Sequence, residues 1–162
     1  MSTKEPTALD VAMIDRVLEL ARSAIAQGKA GVAALMLWRD ETLAFDHNQA
    51  VDTGDLTAHA EMVVLRQASS RLSQMSDAEK AEITLYVTLE PCLMCLSAIS
   101  FAGIKRVVYS ALNRDGKPEI WISDGITTEE INETLVRGPL ELVPGVKREE
   151  GQEILDMMGK KA

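Results

Sequence analysis

The stretch TLEPCLMC, residues 88–95, holds the only two cysteines of the chain, three positions apart and directly behind Pro91. Proline at that place suits the first turn of a helix. At i and i+3 both sulfurs project from one helical face. The unpaired amides and positive dipole end there favour thiolate over thiol. Two thiolates on one face make half of a tetrahedral metal site, yet the chain has no further cysteine to complete a set of four. Its only histidines are His47 and His59, and Glu61 follows His59 by two residues at the start of another expected helix. Joined to Cys92 and Cys95, His59 leaves one tetrahedral position open, the arrangement of a catalytic zinc. Ligand softness also favours zinc over other divalent ions. Each piece alone has a plainer reading. Cys-x-x-Cys at a helix start also suits buried thiols or a redox pair, and His-x-Glu suits a solvated helix.

Positioning those residues requires alternating helices and strands. Residues 8–27 carry apolar side chains at helical spacing, and Gly28 supplies a stop. Residues 32–38 and 42–47 read as strands around the polar turn Arg39-Asp40-Glu41, and the next ten residues read as loop. Thr57 is the expected cap of a helix over 58–71. A polar connection over 72–82 leads to a β-rich run, 83–89, and then to the cysteine helix through about Ala102. A strand over 105–111, a helix over 127–136, a strand over 140–143 and a helix over 147–158 complete the pattern. Interleaved helices and short buried strands imply one α/β domain over residues 1–162 with a five-stranded mixed sheet.

Composition narrows the setting. Seventeen basic against twenty-five acidic side chains give a formal charge of −8, which argues against a general pull toward phosphate backbones. No apolar run approaches the roughly 18 residues of a membrane span, and the first residues lack a secretory layout. Two cysteines within one helical turn are poorly placed for a structural disulfide, so a reducing, cytoplasmic setting is expected.

The combination His59-Ala60-Glu61 followed by Pro91-Cys92-Leu93-Met94-Cys95 reproduces the H-x-E…P-C-x-x-C pattern of zinc deaminases. Over about residues 8–112 the chain resembles the cytidine/deoxycytidylate-type zinc-dependent deaminase superfamily. TAHAEMVVLRQA and LYVTLEPCLMCLSAI resemble its nucleobase (guanine/cytosine deaminase-like) and tRNA adenosine deaminase branches. The resemblance implies a three-layer α/β/α fold and Zn2+ held by His59, Cys92 and Cys95. It makes Glu61 the proton-shuttling catalytic residue, with zinc lowering the pKa of a water. Asn48, eleven residues before His59, matches the position of a substrate-binding asparagine. Ala60 and Asp124 join it as implied substrate contacts, whereas His47 is expected to be structural.

Three substrate classes compete. A free guanine-like base or s-triazine is favoured, because the segment ending in Trp121-Ile122-Ser123-Asp124 resembles the guanine deaminase branch, where an acidic residue follows such a step. Ser123-Asp124-Gly125 could equally be a simple turn, and Trp121 could be core rather than pocket wall. Cytosine is the second class: AISFAGIKRVV, with Gly103, resembles the fungal cytosine deaminases. The wobble adenosine of tRNA is the third, disfavoured because Lys105-Arg106, Lys147-Arg148 and Lys160-Lys161 are too scattered to form a stripe. A zinc-binding domain without catalysis is the non-enzymatic alternative. Ala33 stands where the superfamily commonly has glycine, which would add a methyl near the pocket floor. Association into a homo-oligomer, such as a dimer, is implied by the resemblance. Leu96, Ile99 and Phe101 are assigned to core by default.

Overall fold

The computed structural model describes residues 4–159; the Lys160-Lys161 pair lies outside them. Helix α1 spans Ala8–Ala26, and a reciprocal capping box starts it. The Thr7 hydroxyl accepts from the Asp10 N–H at 3.1 Å, and the Asp10 carboxylate accepts from the Thr7 N–H at 2.9 Å. Strands β1 (Ala33–Trp38) and β2 (Glu41–His47) follow, then α2 (Ala50–Thr53), α3 (Ala60–Leu72) and α4 (Asp77–Ala81). Next come β3 (Ile83–Leu89), α5 (Leu93–Phe101) and β4 (Arg106–Ala111), and two 3-10 turns at Asn113–Asp115 and Pro118–Ile120. The short helix α6 (Thr128–Asn132), β5 (Glu141–Val143) and α7 (Arg148–Gly159) end the described chain.

The five strands form one sheet in the order β2-β1-β3-β4-β5. β1 runs antiparallel to β2 and β3, whereas β3, β4 and β5 are parallel, so the sheet is mixed as expected. Period-two alternation divides the apolar side chains between its faces. Ala34, Met36, Leu85, Val87, Val107 and Tyr109 pack with Val64 and Ala68 of α3 and Leu96 and Ile99 of α5. Ala33, Leu35, Tyr86 and Val108 pack on the opposite face with Ile14, Val17, Leu18 and Ala21 of α1 and Ile154 of α7. Burying each such large side chain contributes roughly 1.5–3 kcal/mol. The architecture is therefore helix layer, sheet, helix layer.

Several local expectations change. Ala33 belongs to the α1 face, and its N–H donates to Thr88 Oγ1 at 3.1 Å. Its methyl therefore does not floor a pocket on the α3–α5 side. The loop after β2 contains α2, and the 72–82 connection contains α4, started by a Ser76–Glu79 capping box. Thr57 does not cap α3: its hydroxyl donates to Asp55 at 2.7 Å, and His59 takes the cap position. The helix expected over 127–136 stops at Asn132, whose side chain turns to accept from Leu140 N–H at 2.9 Å and donate to Leu140 C=O at 2.8 Å. Leu96 and Ile99 are fully buried, but Phe101 is 70% exposed beneath the Arg137 guanidinium, 4.3 Å from its ring centre. Among the described residues no helix is long and apolar enough to cross a membrane.

Candidate active site

Two helix starts meet on the α3–α5 face. His59 is the N-cap of α3, in extended backbone, and makes no side-chain cap bond, so its ring is free to face elsewhere. Cys92 is the N-cap of α5, and its carbonyl accepts from Leu96 N–H at 2.8 Å, which starts the helix one residue behind Pro91. Cys95 then lies within the first turn and is fully buried. The strand-to-helix passage is pinned from both sides. Glu90 N–H donates to Ala111 C=O at 2.9 Å, and the Pro91 carbonyl accepts from the buried Thr128 hydroxyl at 3.1 Å. Behind α5, Gly103 adopts φ +84°, and a Cβ there would meet Lys80 at 3.0 Å, so glycine both turns the chain and leaves room for α4.

His59 Nδ1 stands 3.6 Å from each of the two sulfurs, and the three ligand atoms lie within 4.8 Å of one another. Zinc bonds of about 2.3 Å to sulfur and about 2.0–2.1 Å to nitrogen, at a tetrahedral angle, put those atoms roughly 3.6 Å apart. These residues therefore fit a zinc ion in distance as well as in donor type. The three groups are also electrostatically linked. Cys92 is held well below the ordinary thiol range, at about 4, chiefly by the hydrogen bond from Cys95 and also by His59. Cys95 is pushed up by that same bond and by burial, while its bond to Cys92 raises His59.

Glu61 sits in the first turn of α3, only 3% exposed, and its Oε2 has no hydrogen-bond partner among the described residues. Burial pushes its carboxyl up to about 7. An unpartnered buried carboxyl oxygen is costly, and such groups mark places where structure serves something other than stability.

A cleft of about 430 Å³ opens beside Cys92 and Leu93. Its far wall is the segment between β4 and α6, including Arg114, Trp121 and Asp124. Four carboxylates line it (Glu90, Asp124, Glu129 and Glu130) against the single guanidinium of Arg114. Asp124 thus lies on the wall, exposed, in a bend next to Gly125. Trp121 lines the cleft rather than the core, half-buried, with its Nε1 unpartnered.

Asn48 and Ala60 are not among the residues of that wall. Asn48 follows β2 directly; its Oδ1 accepts from Ala50 N–H at 2.9 Å and its N–H donates to Val32 C=O at 2.9 Å. Ala60 is fully buried in the core as the first residue of α3, so only its backbone N–H, of the kind a helix start leaves unpaired, could meet a ligand. His47 Nδ1 is 2.8 Å from Asn48 C=O, and the ring is not part of the ligand cluster. Glu90, Arg114, Glu129 and Glu130 were missed in the sequence. The Thr127-x-x-Glu130 capping box was the one legible signal among them, since it fixes α6 against the cleft.

The model of the cytidine and deoxycytidylate deaminase zinc-binding region matches residues 8–111. A curated relative, the tRNA-specific adenosine deaminase of Aquifex aeolicus, is 38% identical over 97 residues, which is 60% of this chain. That match spans 62% of the relative, about three-fifths of its length. A solved structure from work on A-to-I editing by tRNA:A34 deaminases is 30% identical with a TM-score of 0.70, covering 88% of this chain and 97% of that one. The guanine deaminase of Nitrosomonas europaea is 26% identical with a TM-score of 0.78, covering 98% of this chain and 90% of its own.

Proposed function

The chain belongs to the family defined by the cytidine and deoxycytidylate deaminase zinc-binding region, and we propose that it removes the exocyclic amine of a nucleobase by zinc-dependent hydrolysis. The observation that carries this reading is the His59–Cys92–Cys95 triangle, 3.6 Å on its nitrogen–sulfur edges, with Glu61 buried two residues away. His59, Cys92 and Cys95 would hold the zinc, which would supply the Lewis acid that makes a water nucleophilic near neutral pH. Glu61 would take a proton from the attacking water on its unpartnered oxygen as the water's oxygen bonds to the amine-bearing carbon, and would deliver that proton to the adjacent ring nitrogen. The same carboxyl then passes the remaining hydroxyl proton to the amine, the C–N bond breaks, and ammonia leaves as the carbonyl forms. Burial keeps bulk water from competing for those protons.

The wobble adenosine of tRNA is the first substrate to test. It is supported by the Aquifex aeolicus relative and by the A34 deaminase structure, although charge alone had disfavoured it. A guanine-like free base is the second reading, favoured by Asp124 on the cleft wall and by likeness to guanine deaminase over nearly the whole chain. Carboxylates accept from amide and amine N–H groups of such a base, and four of them around the cleft repel phosphate. A homodimer in a reducing cytoplasm belongs to the same proposal, supported by the exposed apolar Leu56 and Phe101 and by the two free thiols.

The test is ammonia release from a tRNA anticodon stem-loop, adenine, guanine, ammeline and cytosine. Release from the stem-loop alone supports the first reading. Release from guanine or the triazine supports the second. No release from any of them, by zinc-loaded protein, would count against the aminohydrolase reading.

A further inference from the structure

The ladder between β3 and β4 closes on a side chain. Leu89 and Ala111 are the last register partners of these parallel strands, and Glu90 N–H then donates to Ala111 C=O at 2.9 Å. A residue in a parallel ladder donates to one partner and accepts, through its carbonyl, from the N–H two places further on. By that pattern the Glu90 carbonyl should receive the Asn113 N–H. The Glu90 carboxylate receives it instead, at 2.7 Å on Oε2. The exchange falls where the backbone leaves the sheet, because Pro91 follows at once and Cys92 is already the N-cap of α5. Asn113 also opens the 3-10 turn Asn113–Asp115, and the first N–H groups of such a turn need acceptors from outside it. The far end of that turn is held separately, where Asp115 accepts from Arg148 at 2.6 and 2.9 Å. Glu90, Cys92, Asn113 and Arg114 all border the cleft.

We propose that Glu90 is a positioning residue: its carboxylate closes the last β3–β4 rung and so fixes the cleft wall at Asn113 and Arg114 relative to the metal-binding start of α5. The assignment rests on the aminohydrolase reading and deepens it, since Glu90 governs how the base is seated by acting through Asn113. A displaced wall weakens that seating, while the metal ligands and Glu61 stay where α3 and α5 hold them. Glutamine offers an amide oxygen to the same N–H, and alanine offers nothing.

The experiment compares native zinc-loaded protein with E90Q and E90A, reading bound zinc, kcat, KM and amide exchange at Asn113. E90A should keep its zinc, change kcat little and raise KM about tenfold, the lower range of one charge-assisted hydrogen bond. Its Asn113 amide should exchange faster while the amides of β1 keep their protection. E90Q should restore both the KM and the slow exchange. Should E90A not fold, N113P compared with N113A removes the same donor. Leu112 is already extended, at φ −94° and ψ 153°, so a proline after it is accommodated at the first position of the turn. N113P should then raise KM by the factor expected for E90A. A native KM in E90A, or in N113P relative to N113A, would overturn the assignment. So would E90Q matching E90A in KM with Asn113 still slow to exchange, which would make the charge itself a substrate contact. Loss of zinc in E90A would also overturn it, by placing Glu90 in the metal site. No turnover by the native protein would instead overturn the aminohydrolase reading, and exchange would then decide the rung alone: an Asn113 amide equally slow in E90A would overturn it.

Discussion

Residues 8–111 and residues 112–147 are built on different physics. The first region contributes four of the five strands and the helices α3 and α5, and its site residues rise from helix starts packed into a continuous apolar core. The second holds two 3-10 turns, a five-residue helix and a three-residue strand, and is tied down by polar clamps: Glu90 to Asn113, Thr128 to Pro91, Asn132 to Leu140. Family likeness divides in the same place, since the zinc-binding model ends at residue 111. Under the proposed function, reaction chemistry falls to the packed core and substrate choice to the polar wall that faces it.

That division can be broken by substitutions on either side. The largest effect is expected in the core: Cys95→Ala removes one of three metal ligands, so bound zinc and ammonia release should both be lost on every substrate. Metal analysis beside a turnover assay checks this, and activity surviving without metal would collapse the division. Asp124→Asn on the wall should instead act on one substrate class. It should lower kcat/KM for a guanine-like base about 10- to 100-fold, the range of a charge-assisted hydrogen bond, with zinc content unchanged. A uniform fall across substrates would place Asp124 in the general architecture.

The smallest effect lies away from both regions of the site, where Asp10 is buried between Arg106, at 2.8 Å, and the Tyr86 hydroxyl, at 3.0 Å. Burial alone would raise the Asp10 carboxyl, but the Arg106 guanidinium and the Thr7 N–H overcome it and hold it at about 2. Because the folded value is depressed, its stabilisation is present above the unfolded value near 4. It is lost as pH falls through about 2, and amounts to ~2.5 kcal/mol. Asp10→Asn should therefore cost about 2 kcal/mol at neutral pH, or roughly 4–8 °C in melting temperature. The cost should shrink in acid, and ammonia release per folded molecule should not change. Thermal melts at several pH values measure it.

The same contrast explains what the sequence made legible. His59, Cys92 and Cys95 could be read because metal chemistry restricts both residue type and spacing, and the three converge in space, with Glu61 buried in the first turn of α3. The sheet could be read because its strands alternate or run continuously apolar. Local competition among polar groups was not legible. Asp55 captures the Thr57 hydroxyl and moves the α3 cap to His59, and Asn132 ends α6 by clamping Leu140. Phe101, the last residue of α5, is exposed rather than buried, with the Arg137 guanidinium stacked on its ring. The cleft wall has no hydrophobic period to read, so Glu90, Arg114, Glu129 and Glu130 emerge only from the fold, whereas Asp124 and Trp121 could be named only through the family resemblance.

In the proposed reaction Glu61 is a proton carrier that does not bind the metal. Ammonia release and bound zinc should be measured together in the native protein and in Glu61→Ala, on whichever base the native protein deaminates. Equal zinc is expected in both, with a rate lower by about 10²–10⁴-fold in the variant. A variant that keeps its zinc and turns over at the native rate would contradict it.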